Sequence, residues 1–414
     1  MNEKIRRLFA EQEKKLTEVF SAIEERELIN SQKVLAAFQR HKISEMHFQS
    51  TSGYGYDDIG REALEKVYAE VFGSEDALVR HSIVNGTQAI TLALFGVLRP
   101  GDTLLSACGK PYDTLEQAIG IKGKSGNGSL ADFGVKYAQI ELNQNGKIDI
   151  PAVCEYIRKN PVKAVLLQKS RGYCFRDSMT CEEIGQAIKA IKTVDETVVT
   201  IVDNCYGEFV ETVEPPALGA DLTVGSLIKN PGGGLAPSGG YVAGREQYVK
   251  MAAARFTSPG IGKEVGATLG NNKAMYQGLF LAPHTVAQGL KGAALSAAVL
   301  QELGFEVSPK PYDMRSCMIQ AVKFNDREKM IQFCKGVQAG SPVDAHVTPE
   351  PWAMPGYSCD VIMAAGTFVQ GATSEWSADG SVIPPYIVYM QGGLTYDYVK
   401  LGLAACVERL LEEK

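Results

Sequence analysis

The sequence predicts an α/β protein, with a mostly parallel buried sheet in its larger part and a smaller α+β unit after it. Three observations predict this. Short β-branched runs alternate with helical stretches from about residue 60 to 280, the rhythm of parallel strands joined by crossover helices. The runs are apolar throughout rather than alternating, as strands covered on both faces are. Beyond about residue 291 the pattern changes to strand-like pieces and helices that suit antiparallel strands with helices on one face.

The elements follow in order. Over residues 3–25, Ile5, Leu8, Phe9, Leu16, Val19, Phe20 and Ile23 recur at helical spacing with charge on the other face. This amphipathic arm either packs on a partner subunit or covers its own core. Arg61 to Phe72 and Ala89 to Val97 read as helices, and Thr103 to Ala107 as a short strand between turn residues. Val162–Leu167, Val198–Val202, Leu222–Leu227 and Gly240–Ala243 continue the sheet, with a helix from Ile184 to Ile191. The second unit holds a helix from Gly292 to Leu303, a strand at Phe305–Val307, a helix from Arg327 to Val337, strands at Val361–Met363 and Ile387–Tyr389, and a terminal helix from Tyr396 to Leu411. The division is an arm over residues 1–50, a large domain over 51–290 and a small one over 291–414.

Composition narrows the function. A chain of 414 residues, 45% hydrophobic and 22% charged, is an ordinary globular enzyme-sized protein. Its net charge of −6 argues against a general nucleic-acid binder. No apolar run reaches the roughly 18 residues that span a bilayer, and the N-terminus lacks the apolar core of a signal peptide. The nine cysteines are scattered without a CxxC pair, so a reducing cytoplasm is expected. The five histidines show no metal-ligand spacing, and no metal site is expected. Gly123-Lys124-Ser125 ends like a P-loop, but Ala118 stands where the first glycine belongs. Gly53-Tyr-Gly55 starts like a dinucleotide fingerprint, yet Asp58 replaces the third glycine. The Gly-rich piece Lys122–Gly128 reads as a surface loop.

One constellation carries chemistry. Lys229 follows the strand Leu222–Leu227, and Asp203 follows the strand Val198–Val202. Ligands in parallel sheets collect outside these carboxyl ends. A lysine amine to condense with an aldehyde and a carboxylate to keep a pyridine nitrogen protonated are what pyridoxal phosphate asks of its protein. The helix start Asn85-Gly-Thr-Gln88 can take the phosphate through Gly86, Thr87 and the N-terminal amides. Ser226 offers a second hydroxyl, and Tyr112, on the loop after Thr103–Ala107, can stack on the ring. Each alone has a plain alternative: a helix cap, a metal-binding or capping aspartate, a core tyrosine, a solvated lysine. Burial is expected to lower the Lys229 pKa and favour the neutral amine.

The chain resembles the aluminium-resistance or methionine γ-lyase-like family, within the cysteine/methionine-metabolism group of fold-type-I pyridoxal enzymes. The resemblance covers nearly the whole length from about residue 30. Its segments are Gly53–Arg61, Glu75–Arg80, Gly109–Thr114, Val202–Asn204, Gly232–Pro237, Tyr276–Phe280 and Gln391–Tyr396. It implies an aminotransferase-type fold with a mostly parallel seven-stranded sheet, and a homotetramer built from dimers that share active sites. It implies cofactor attachment at Lys229, the ring-nitrogen partner at Asp203 and the stacking ring at Tyr112. It also implies that Tyr56, with Tyr54 or Arg61 as alternatives, reaches a neighbouring subunit's phosphate. Arg171 falls where the wider group contacts the ring hydroxyl or the substrate carboxylate. Two departures stand out. The family's Ser-Gly-Thr-His is Asn85-Gly-Thr-Gln88 here, and its Arg-Glu before the late Pro-Tyr is Ile383-Pro384 here. The implied activity is a carbon–sulfur lyase acting on a sulfur amino acid, with Lys229 removing the α-proton and Tyr112 protonating the departing thiolate. Aminotransferase, aldolase or decarboxylase chemistry on the same fold, and a non-catalytic binding protein, stay open at this point.

Overall fold

The computed structural model describes residues 1–123, 125–354, 359–372 and 374–412. Lys124 of the predicted glycine-rich loop lies outside them. In chain order the helices and strands begin with α1 (Glu3–Lys15), α2 (Thr17–Arg40), α3 (Ile59–Phe72), β1 (Asp76–Arg80), α4 (Gly86–Val97), β2 (Thr103–Ser106), α5 (Asp113–Ile119) and β3 (Lys136–Gln139). They continue with α6 (Ile150–Lys159), β4 (Ala164–Gln168), α7 (Cys181–Val194), β5 (Val199–Asp203), β6 (Leu222–Ser226), β7 (Gly240–Gly244), α8 (Glu246–Phe256) and α9 (Asn272–Glu302). The remainder is β8 (Glu306–Ser308), β9 (Gln320–Lys323), α10 (Arg327–Ala339), β10 (Trp352–Ala353), β11 (Asp360–Ala364), β12 (Ser377–Ser381), β13 (Ile387–Gln391) and α11 (Tyr396–Glu412).

The first seven strands form one sheet in the order β1-β7-β6-β5-β4-β2-β3. Only β7 runs against its neighbours. Successive apolar residues serve opposite faces, as strand pleating requires. Leu104, Leu166, Ile201 and Val224 pack under α4 and α8, while Leu105, Val165, Leu167 and Val202 pack under α6 and α7. That double burial is why these strands read as continuous apolar runs. The carboxyl ends of β4, β5 and β6 therefore lie side by side, where Gln168, Asp203 and Ser226 end their strands.

Local signals set the helix ends. Asp58 caps α3 by accepting from the Arg61 N–H, and Gly73 closes it in the left-handed region at φ 67°. Thr180 and Glu183 form a capping box at α7. The arm covers its own core: Ile5, Phe9 and Leu16 pack with residues of α9, α10 and α11. It also runs on to Arg40. There Asn30 is buried, donating to the Phe209 and Glu211 carbonyls at 2.9 and 3.1 Å.

The second sheet is antiparallel, in the order β10-β11-β12-β13-β9-β8. The 31-residue α9 links the two parts. Residue 291, where the sequence suggested a new unit, lies inside this one helix, and Pro283 is accommodated within it. Asp379 on β12 pairs with Tyr389 on β13 and Met363 on β11. No helix among the described residues is long and apolar enough to cross a membrane.

Candidate active site

A cavity of about 270 Å³ opens where the carboxyl ends of β5 and β6 meet the N-terminus of α4. Met363, Asp379, Tyr389 and Gln391 of the second sheet form the opposite wall.

Asn85 caps α4 with its side chain, accepting from the Gln88 N–H at 2.8 Å. This frees the first amides of the helix to face the cavity, beside the Thr87 hydroxyl. Thr87 Oγ1 and Thr114 Oγ1 are 2.8 Å apart. Ser226 lies across from them, its hydroxyl donating to the Gly239 carbonyl at 3.4 Å. Between them is Gly86. A Cβ there would come 3.0 Å from Cys205 Sγ and 3.5 Å from Ser226 Cβ, so bare backbone keeps the cradle open.

Asp203 ends β5, and its Oδ1 accepts the Cys205 N–H at 3.1 Å. Burial pushes its carboxyl up, against the pull of Lys229 and the Cys205 N–H. Lys229 leaves β6 just before a short turn, Asn230–Gly232, followed by Gly233 at φ 55°. A Cβ on Gly233 would collide with the Gly278 carbonyl of α9, so the loop holding Lys229 packs tightly on that helix. The amine sits 3.8 Å from the centroid of the Tyr206 ring, a cation–π contact. Tyr206 itself adopts φ 73°, an unusual conformation for a bulky residue, and its carbonyl accepts the Met318 N–H at 3.0 Å.

The net push on Lys229 is upward. Burial acts against the charge, but Cys205, Tyr206, Asp203 and Glu208 together outweigh it. The direction is opposite to the expectation that burial alone would set it, with the acidic groups at the strand ends favouring the charged amine. Glu208 lies behind the lysine. Its Oε1 accepts from the Tyr241 hydroxyl at 2.9 Å and its Oε2 is buried without a partner. Burial raises this carboxyl to about 8, so it is mostly protonated at neutral pH. A folded-state pKa above the free value of 4.5 gives stability that is present below 4.5 and is lost as pH rises toward about 8. Glu208→Gln mimics the protonated acid. We expect the melting temperature of the variant to vary less across that window, with wild type losing a few kcal/mol by its upper end. Unfolding calorimetry at matched cofactor loading checks this, and parallel pH profiles would refute it.

Tyr112 lies at the start of α5 and stacks on Tyr173, with centroids 5.9 Å apart and planes at 22°. Gly86, Thr87, Tyr112, Asp203, Ser226 and Lys229 thus line one cavity. The donor set suits pyridoxal phosphate: hydroxyls and helix amides for the phosphate, a carboxylate for the ring nitrogen, an amine for the aldehyde and an aromatic face for the ring.

Three other predicted residues lie elsewhere. The Gln88 side chain turns back to accept the Val84 N–H at 2.6 Å. Arg171 is buried behind the wall and donates to the Ser308 carbonyl at 2.9 Å, although Ser170 and Gly172 line the cavity. Tyr56 stands on the surface, as does Tyr54. The alternative Arg61 binds the Gly53, Gly266 and Glu264 carbonyls and so fixes a loop. Sequence reasoning missed Tyr173, Tyr206, Asp379 and Tyr389, which also line the cavity. For Tyr206 a signal existed, since it falls just after Asp203 in an otherwise apolar strand end.

A lysine and a carboxylate beyond neighbouring strands of such a seven-stranded sheet, with a helix N-terminus beside them, define the fold-type-I class of pyridoxal-phosphate enzymes. The pyridoxal-5'-phosphate dependent protein YhfS from Escherichia coli shares this fold at 18% identity and a TM-score of 0.64, covering 94% of this chain and 97% of that one. The chain belongs to the methionine gamma-lyase family, whose model matches residues 5–411, the family that its sequence segments resemble. Uncharacterized protein YnbB of Bacillus subtilis (strain 168) is 51% identical over 413 residues, which span 100% of this chain and 98% of the relative. A carbon-sulfur lyase involved in aluminum resistance from Clostridium novyi NT is 46% identical with a TM-score of 0.95, covering 99% of this chain and 96% of that one. Family and fold together imply pyridoxal phosphate.

Proposed function

We propose that this protein is a pyridoxal-phosphate-dependent carbon–sulfur lyase acting on a sulfur amino acid. The observation that carries the reading is the meeting of Lys229, Asp203 and the α4 N-terminus in one cavity. In a protein related over its whole length to a carbon-sulfur lyase, that set has a reaction to serve. Bound there, pyridoxal phosphate supplies an electron-poor ring that stabilises negative charge on the substrate α-carbon.

The side chains do the rest. Asp203 would hold a proton on the ring nitrogen, and that pairing would remove one of the charges favouring the protonated Lys229. Burial then pulls the amine toward its neutral form, in which Nζ can accept the α-proton. The same amine can take the further β-proton that a γ-elimination needs. Tyr112 hands a proton to the departing thiolate, and its ring orders the stack with Tyr173. Thr87, Ser226 and the α4 amides anchor the phosphate. The surface-exposed Tyr56 completes a neighbouring subunit's phosphate site in a tetramer of paired dimers.

The test is to incubate the cofactor-loaded protein with L-methionine and L-cystathionine and to assay keto acid and thiol. Both products in equal yield are expected from at least one of them. Failure to release thiol from any sulfur amino acid would sink the assignment, and amino-group transfer to an added keto acid would replace it with transamination.

A further inference from the structure

Lys229 rests against an aromatic face and not against a carboxylate. Its Nζ stands 3.8 Å from the centroid of the Tyr206 ring, and no carboxylate among the described residues lies at ion-pair distance from it. We propose that this face is a seat for the Lys229 ammonium, which makes Tyr206 a positioning residue of the reaction. The ring holds the free amine beside the strand ends and stabilises the charge that Nζ gains on accepting the α-proton. The proposal rests on the pyridoxal reading and deepens it at the same site.

The ring is held from two sides. It packs on the core cluster that contains Phe209, Leu227 and Met318, and on the second-sheet cluster of Cys317, Ile319 and Tyr389. Its backbone is pinned as well, the Tyr206 carbonyl accepting the Met318 N–H at 3.0 Å. That backbone lies in the left-handed region at φ 73°, where a bulky side chain is disfavoured. Glycine would relieve the strain and asparagine would tolerate it, but neither offers an aromatic face. Such strain persists where the surroundings over-determine it, and it clusters at functional sites. Lys229 arrives from a separate segment, whose Gly233 packs closely on α9. Both partners are thus fixed independently, and the contact is built into the fold.

The seat selects for charge. An aromatic face attracts an ammonium through its quadrupole, and the attraction grows as water is excluded. A neutral amine gains little from it. The same ring therefore opposes one step and helps another. It favours the charged form of the free amine, which slows attack on the cofactor aldehyde. It also favours the ammonium that forms when Nζ takes the α-proton, which lowers the barrier to that transfer.

The experiment compares Tyr206→Phe with phenylalanine analogues at the same position that carry one, two and three ring fluorines. These keep the shape of the ring while weakening its negative face. Two rates are read at neutral pH. The first needs no turnover: it is capture of pyridoxal phosphate by the cofactor-free protein, followed by absorbance and, after borohydride, by peptide mass at Lys229. The second is exchange of the α-proton of L-methionine or L-cystathionine into deuterium oxide by the loaded protein. From Tyr206→Phe to the trifluorinated analogue, capture is expected to rise and exchange to fall, each by about tenfold or more. A loosened core would slow both. Flat rates, or two rates that move in the same direction, overturn the proposal. If wild type captures no cofactor, the pyridoxal reading and this proposal fall together. If it captures cofactor but exchanges no α-proton, the lyase reading fails for these substrates, and the capture series alone decides: a rise across it supports the seat, and a flat or falling series overturns it.

Discussion

Lys229→Ala is expected to lower thiol release from every sulfur amino acid by about a thousandfold or more, the scale at which a positioned general base acts. Attachment should fail as well. Borohydride treatment of the loaded wild type would fix the cofactor to the chain, and intact mass would show no such addition in the variant. The fold should survive, because the change removes a buried cation whose partner Asp203 can take up a proton, while Glu208 is already mostly protonated at neutral pH. Unchanged turnover in the variant would remove this lysine from the mechanism.

Asp203→Asn carries the second-largest effect, a loss of about a hundredfold to a thousandfold in kcat, typical of removing one preorganised electrostatic partner. The amide cannot hold a proton on the ring nitrogen, so the ring loses its power to take up charge. The α4 N-terminus and Thr87 are untouched, and the variant should still take up the cofactor by absorbance. A fall in uptake alone, with normal turnover of the loaded fraction, would assign Asp203 to binding and not to chemistry.

These two residues were readable from the sequence because the sheet around them was. Strands β2, β4, β5, β6 and β7 are buried on both faces, so their composition is mostly apolar and their ends are easy to place. Asp203 and Lys229 are polar groups at the close of such runs. β12 gives no such signal. Ser377-Ala-Asp-Gly-Ser381 has no β-branched residue and holds its strand form through pairing with β11 and β13. Asp379 was invisible for that reason, and with it the far wall of the cavity. Gln88 and Arg171 fail differently. Each is one residue from a cavity-lining neighbour, but a single step along a helix cap or loop turns the side chain away. The Lys229 proton affinity was misjudged because its acidic neighbours, all within residues 203–208 after β5, meet the lysine only in the fold.

The N-terminal arm has a consequence for how the chain is made. Ile5, Phe9 and Leu16 fill a core otherwise built from residues 294–410, and Glu13 meets Tyr396 and Lys400 at 2.6 and 2.7 Å. Helix α1 therefore finds most of its native partners in α9 and α11, far along the chain. Until α9 has emerged it stays amphipathic and largely undocked, and its packing there is a late, long-range step of folding.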